Sequence, residues 1–277
     1  MIDFIKISIT NEVLINQVWN NEILIYEGKS EKRFDDEIKE LYTKSYKNLY
    51  FTKFQNRLEI KGSLHYFFND GLHNANDFNI NDCIGTIEQI KELFKLDLYK
   101  CKLINLEYGV NIISPIPIND LILNLIYHEK RPFIRATEHS YYRIAGKDCY
   151  KQIKAYNKSV QFPDHCNENT FRFEVKSKQS KFINKKGFNI LNDLTIKNNY
   201  KTLVDSILKE WNNVLVFDKS KPIDKKFFNT FFWEELILNS HRNKFNYQKK
   251  LYYKNLGIVN LHSILKSIII DKTIDIF

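Results

Sequence analysis

The chain has 277 residues and 33.2 kDa, 43% of them hydrophobic and 27% charged, enough to bury a full core without disulfide or metal staples. Charges interrupt every apolar run before about 18 residues, which excludes a membrane-spanning helix, and eight glycines with five prolines exclude collagen-like and low-complexity architectures. Forty-two Lys and Arg against 33 Asp and Glu give a net charge of +9 and a pI near 9.1, a balance that suits an anionic partner such as nucleic acid.

Met1 to Lys6 reads as a first β-strand, with an acid where a secretory signal would carry base, so a soluble protein of the cytoplasm is expected. Arg57 to His65 alternates as a strand, with Leu58 and Ile60 on one side and Glu59 and Lys61 on the other. Asp82 to Leu96 is expected to be a helix, capped by Asn81 or Asp82, with Ile84, Ile87, Ile90, Leu93 and Phe94 on one stripe. Leu103 to Ile113 alternates again, showing Asn105, Glu107, Gly109 and Asn111 on one face. Asn119 to His128, after Pro115 and Pro117, reads as a second helix. Tyr150 to Lys158 reads as a strand that sets Gln152, Lys154, Tyr156 and Lys158 against Ile153 and Ala155. Phe171 to Lys176 sets Arg172, Glu174 and Lys176 against Phe173 and Val175. Tyr200 to Phe217 reads as a helix through Leu203, Ile207, Leu208 and Trp211. Lys219 to Pro222 punctuates the chain, Phe227 to Asn239 reads as a helix, and Ile258 to Ile270 as the last one.

These elements predict an α+β fold: an antiparallel sheet with helices on one face, an open polar face carrying the active site, and a small helical C-terminal region. Residues 1–217 are expected to form the catalytic domain and 218–277 a helical basic region that could bind DNA. Cys83, Cys101, Cys149 and Cys166 are scattered without a C-x-x-C pair, which suits neither a zinc site nor a disulfide framework.

The positive charge is concentrated. Residues 151–187 hold nine Lys or Arg and three acids, and residues 241–254 hold Arg242, Lys244, Lys249, Lys250 and Lys254 with no acid. Aromatic residues interleave with both: Tyr150, Tyr156, Phe162, Phe171 and Phe173, then Phe245, Tyr247, Tyr252 and Tyr253. Lysines that neutralise phosphates beside rings that stack on bases make a single-strand platform; the alternative is solvated lysines over core rings.

Glu107 and Glu174 lie on separate strands and can point at a common hard cation, Mg²⁺ or Mn²⁺, with His65 or Glu59 as a third ligand. Tyr156 lies between Lys154 and Lys158; a phenol that titrates near pH 10 needs such positive charge, or a metal, to act as a nucleophile. Those lysines could also hold a scissile phosphate. Glu174 between Arg172 and Lys176 reads equally well as a cross-strand ion-pair partner.

The order of these segments resembles the rolling-circle replication initiators of filamentous phages and plasmids. Leu103-Ile-Asn-Leu-Glu107-Tyr-Gly-Val110 is similar to that family's strand with a central acid, with Glu for Asp and Asn105 for Arg. Ile153-Lys-Ala-Tyr156-Asn-Lys158-Ser-Val-Gln161 is similar to the strand that carries its nucleophilic tyrosine, and Phe171-Arg-Phe-Glu174-Val175 to the strand that follows. Lys181-Phe-Ile and Gly187 to Leu191 are similar to the entry into a helix in phage members. The resemblance covers residues 55–195 and lacks the paired His-hydrophobe-His motif.

The resemblance implies a site-specific nicking and joining enzyme. Tyr156 would attack an origin phosphodiester to form a 5′-phosphotyrosine, with Lys154 and Lys158 positioning the backbone and Glu107, Glu174 and His65 holding Mg²⁺ or Mn²⁺. Arg172, Lys176, Arg242, Lys244, Lys249 and Lys250 would contact DNA. Origin DNA, single-stranded or supercoiled, and a host helicase and polymerase are the implied partners, in the cytoplasm of a bacterial cell. The rival readings are a non-catalytic DNA-binding accessory protein and a relaxase-like nickase that serves transfer.

Overall fold

The computed structural model describes residues 1–34, 37–136, 142–147, 149–239 and 243–276. In chain order the first elements are β1 (Ile2–Ile9), α1 (Glu12–Trp19), β2 (Ile25–Phe34), β3 (Glu37–Tyr46), β4 (Leu49–Lys53), β5 (Leu58–Ser63), α2 (Leu64–Phe68), α3 (Ile80–Phe94) and β6 (Lys102–Ile113). Next come α4 (Ile118–Asn124), β7 (Leu125–His128), β8 (Arg131–Pro132), β9 (Ile134–Arg135), β10 (Tyr142–Ala145), β11 (Lys151–Asn157), α5 (Lys158–Gln161) and β12 (Thr170–Ser177). The last are α6 (Ser180–Asn184), α7 (Tyr200–Asn212), β13 (Val214–Val216), α8 (Thr230–Leu238), α9 (Lys244–Leu256) and α10 (Leu261–Ile276). An antiparallel ten-stranded sheet runs in the order β2-β3-β4-β5-β1-β6-β12-β11-β10-β9, and β13-β7-β8 form a small second sheet. This is the α+β, antiparallel architecture that the alternating segments predict.

The chain divides into two compact units. The first comprises Met1–Gly109, Val175–Val204 and Ile276–Phe277; the second comprises Val110–Glu174 and Asp205–Asp275. Strands β6 and β12 contribute residues to both.

In the first unit, β1 pairs with β5 and β6, setting Ile7 opposite Ile60 and Phe4 opposite Ser63 and Glu107. Ile5, Ile7, Leu58, Ile60 and Phe51 are buried, as are Ile87, Ile90 and Phe94 of α3, and the rings of Phe51 and Phe94 lie 4.8 Å apart. Helix α3 begins two residues before the expected start because Asn79 and Asp82 form a reciprocal capping box, and it ends on Lys95 in the left-handed region. Strand β5 stops at Ser63, whose hydroxyl accepts from the Tyr66 amide at 3.1 Å and caps α2. His65 therefore sits on a helix and not at a strand end.

The second unit departs from two expected helices for one reason. Residues 119–128 are helical only to Asn124, and residues 200–217 only to Asn212, because Leu125–His128 and Val214–Val216 pair as antiparallel strands, Val214 opposite His128 and Leu215 opposite Tyr127. Val214 and Val216 are β-branched, and β7 is the central strand of the small sheet, paired with β13 on one side and β8 on the other. Tyr127, Leu215, Phe217, Phe227, Trp233, Leu236, Phe245, Tyr252 and Leu256 form one buried cluster, so α8 and α9 pack with β7 and β13. Helix α8 starts at Thr230, after a tight turn at Lys225–Phe228, and α10 starts at Leu261, where Asn260 accepts from the Ser263 amide at 3.1 Å.

Candidate active site

Strand alternation puts Tyr142 and Ile144 of β10, Lys154 and Tyr156 of β11, and Arg172 and Glu174 of β12 on one face of the second unit's sheet. The opposite face carries Phe171 and Phe173, whose rings meet Trp211 of α7 at 6.3 and 5.2 Å. This contact packs one face of β12 on α7, so alternation aims Arg172 and Glu174 away from that helix.

The carboxylate of Glu174 is 1% exposed, receives Arg172 Nε at 2.5 Å on Oε1 and faces Lys154 Nζ at 3.5 Å from Oε2. Arg172 also donates to Asn111 Oδ1 at 2.9 Å. Glu174 Oε2 is buried and accepts no hydrogen bond among the described residues. A buried carboxylate oxygen left in that state is costly unless a cation meets it, and it suits a hard divalent ion that takes oxygen ligands. Arg172, expected to touch DNA, is itself buried and spent on Glu174 and Asn111.

Tyr156 is 7% exposed and packs edge-on against Tyr142, its direct cross-strand partner, with ring centres 4.9 Å apart. Strand β11 ends at Asn157, whose side chain accepts from the Val160 amide and starts α5. Lys158 thus falls in a helical turn, off the strand face expected for it. From there its ammonium lies 5.6 Å from the centre of the Tyr156 ring, 4.6 Å from that of Phe162, and donates to Gln161 Oε1 at 3.2 Å. The spaced residues Tyr156, Lys158 and Gln161 are one physical group, with Lys158 fully buried. Tyr156, Lys158, Arg172 and Glu174 are buried and not on bare sheet, a departure from the open polar face expected there.

In the first unit Glu107 is buried and bound by Lys176 Nζ at 2.5 Å, while the Lys176 ammonium also stands 5.7 Å from the Phe4 ring. His65 stacks on Phe78 at 4.6 Å, and its Nε2 lies 2.7 Å from Asn76 Oδ1. Glu59 pairs with Lys6 at 2.8 Å and Arg57 at 3.1 Å; burial opposes its ionisation, but these cations hold its carboxyl below the usual range.

In the 241–254 stretch, Phe245 and Tyr252 are core residues, and the Tyr252 and Tyr253 hydroxyls donate to the Val216 and Val214 carbonyls at 3.0 Å. Those three rings are therefore not a stacking surface; Tyr247 is the exposed one, at 64%. Lys244 and Lys250 are exposed on α9. Lys249 turns back onto the Asn212 carbonyl at 3.0 Å, and burial pushes its ammonium down to about 8 against the opposing pull of Glu129. Arg242 lies outside the described residues.

Sequence reasoning missed one cluster. His128, Glu129 and Glu210 each place a ligand atom within 4.8 Å of the others, a group that could hold a metal ion. Lys151 Nζ stands 2.7 Å from Glu210 Oε2 and 3.1 Å from Glu129 Oε1, and His128 Nε2 lies 2.9 Å from Glu210 Oε2. A metal would have to displace that ammonium. Burial opposes ionisation of Glu210, yet His128 and Lys151 hold its carboxyl down at about 2. No spacing rule could have found this group, since Glu210 is brought to His128 by the β7–β13 pairing.

No protein-family model matches the sequence, and no curated protein matches it. Among solved structures, the chain aligns with the rolling circle replication initiator protein from Geobacillus stearothermophilus at a TM-score of 0.42 and 11% identity, over 86% of this chain and 94% of that one.

Proposed function

We propose that the chain is a rolling-circle replication initiator that nicks and rejoins origin DNA through Tyr156. The observation that supports this reading is the assembly on one sheet face of Tyr156 and the Lys154–Glu174–Arg172 group, with Lys158 of the following helical turn beside the Tyr156 ring. Two of the three short motifs that resemble initiator strands, 153–161 and 171–175, supply the residues of that group.

In the reaction Tyr156 Oη attacks the scissile phosphorus, the bond to the 3′ oxygen breaks, and the phenol proton ends on that leaving oxygen. A 5′-phosphotyrosine and a free 3′-hydroxyl result, and reversal of the step rejoins the strand without a nucleotide cofactor. Lys158, next to the ring, would favour developing phenolate charge, and Lys154 is proposed to meet a phosphate oxygen. Glu174 is the proposed ligand for Mg²⁺ or Mn²⁺, carried by its unsatisfied Oε2; Glu107 and His65 are proposed as ligands on motif order alone. A divalent ion there supplies polarisation of the scissile phosphate. Residues 1–217 are proposed as the nicking domain, and Lys244, Lys250 and Arg242 as contacts to origin DNA in a bacterial cytoplasm, where a helicase and polymerase would extend the 3′ end.

The burial of Tyr156 favours a second reading, a DNA-binding module without cleavage. Incubation with Mn²⁺ and single-stranded DNA tiled from the replicon separates the two. A denaturant-stable adduct mapped to Tyr156 supports the enzyme, and salt-sensitive binding with no adduct on any tile supports the module.

A further inference from the structure

The polar face of the first unit's sheet carries a second, separate set of rings and cations. Register puts Tyr50 of β4 opposite Lys61 of β5, and Lys61 opposite Lys6 of β1, so these three side chains share one face. Tyr50 is 43% exposed, and with the half-buried Phe4 and Tyr66 it borders a depression of about 430 Å³ floored by Gly62 and Ser63. That size falls in the range of small-ligand sites. Gly62 permits the close approach of the neighbouring chain: a Cβ there would lie 2.4 Å from the Asn48 carbonyl oxygen.

Two like charges directly opposed on neighbouring strands destabilise a sheet. Lys6 is relieved by Glu59, whereas Lys61 is exposed and has no ion pair among the described residues. An uncompensated ammonium beside accessible rings around a concavity is complementary to a chain that alternates phosphates and bases.

We propose that this face is a binding subsite for single-stranded DNA, with a base stacked on Tyr50 in the depression and an adjacent phosphate on Lys61. The subsite deepens the reading of the chain as a DNA-nicking enzyme and rests on it. It lies in residues that the motifs and the two basic stretches leave aside.

The test is fluorescence anisotropy with a labelled oligo-dT of 12 nucleotides and the full chain. Tyr50→Ala is expected to weaken binding about tenfold, by loss of one base stack, while Tyr50→Phe stays near wild type. Lys61→Gln is expected to lower the salt slope by about 0.7. An iododeoxyuridine-substituted oligonucleotide should photocrosslink to Tyr50, Phe4 or Tyr66. Wild-type affinity and slope in both Tyr50→Ala and Lys61→Gln would overturn the subsite while leaving the nicking enzyme intact. No oligonucleotide binding by the wild-type chain would overturn both. Equal loss for oligo-dT and oligo-U supports the surface but overturns its assignment to DNA. Should Tyr50→Ala fail to fold, the exposed Lys61→Gln variant and the crosslink decide.

Discussion

Lys154 Nζ stands 3.5 Å from Glu174 Oε2, a buried carboxylate oxygen that accepts no hydrogen bond among the described residues, while Arg172 occupies the other oxygen at 2.5 Å. One oxygen is locked by a guanidinium and the other is met at longer range by the Lys154 ammonium, which a bound ion would have to displace or share. The Arg172 bond orients this carboxylate before anything binds. Glu174→Gln is expected to lower Mg²⁺- or Mn²⁺-dependent cleavage by about 100-fold or more with the fold retained. Cleavage across a Mn²⁺ titration checks this; a wild-type midpoint and rate would remove Glu174 from the ion's ligands.

Tyr156→Phe keeps the ring that packs on Tyr142 and removes only the hydroxyl. It should abolish the covalent adduct while oligonucleotide affinity changes by less than about twofold. Tyr142→Phe should leave the adduct in place. The reverse pattern, read by mass spectrometry of the adduct, would move the nucleophile across the strand pair.

The Glu210 carboxyl is held at about 2, against 4.5 in the unfolded chain, despite the burial that opposes its ionisation. A depressed carboxylate contributes stability that is fully present above pH 4.5 and is lost as the pH falls toward 2. The difference corresponds to about 3 kcal/mol. Urea unfolding at a series of pH values should show this loss in the wild type. Glu210→Gln should flatten it, and should lower stability at pH 7 by about 3 kcal/mol because Lys151 loses its closest partner.

Lys249 and Lys250 are neighbours in sequence with different surroundings. Lys250 is exposed, whereas the Lys249 ammonium is tied to the Asn212 carbonyl. Lys250→Ala is expected to reduce the salt slope of duplex DNA binding by about 0.9 with no change in thermal midpoint. Lys249→Ala should change the slope less and lower the thermal midpoint. Equal slopes for Lys250→Ala and wild type would make this face of α9 ordinary solvated surface.

Periodicity in the sequence determined the elements whose register is local. Glu107 on β6, Tyr156 on β11 and Glu174 on β12 fall on strands where alternation places them, and α3 follows its apolar stripe to within two residues at either end. The family-like spacing of Tyr156, Lys158 and Gln161 was legible as letters, but the bond from Lys158 to Gln161 needed the turn capped by Asn157. Residues 125–128 and 214–216 look helical in isolation, because the strand partner that claims each is more than 80 residues away and long-range pairing leaves no local pattern. The same pairing brings Glu210 to His128 and creates a charge group that no motif announces. Basic residues and rings mixed in one stretch likewise left their faces undecided: packing sent Phe245, Tyr252 and Tyr253 into the core and left Tyr50 and Lys61, which belong to neither basic stretch, facing solvent. Burial is a property of what covers a side chain, and only the tertiary structure decides that.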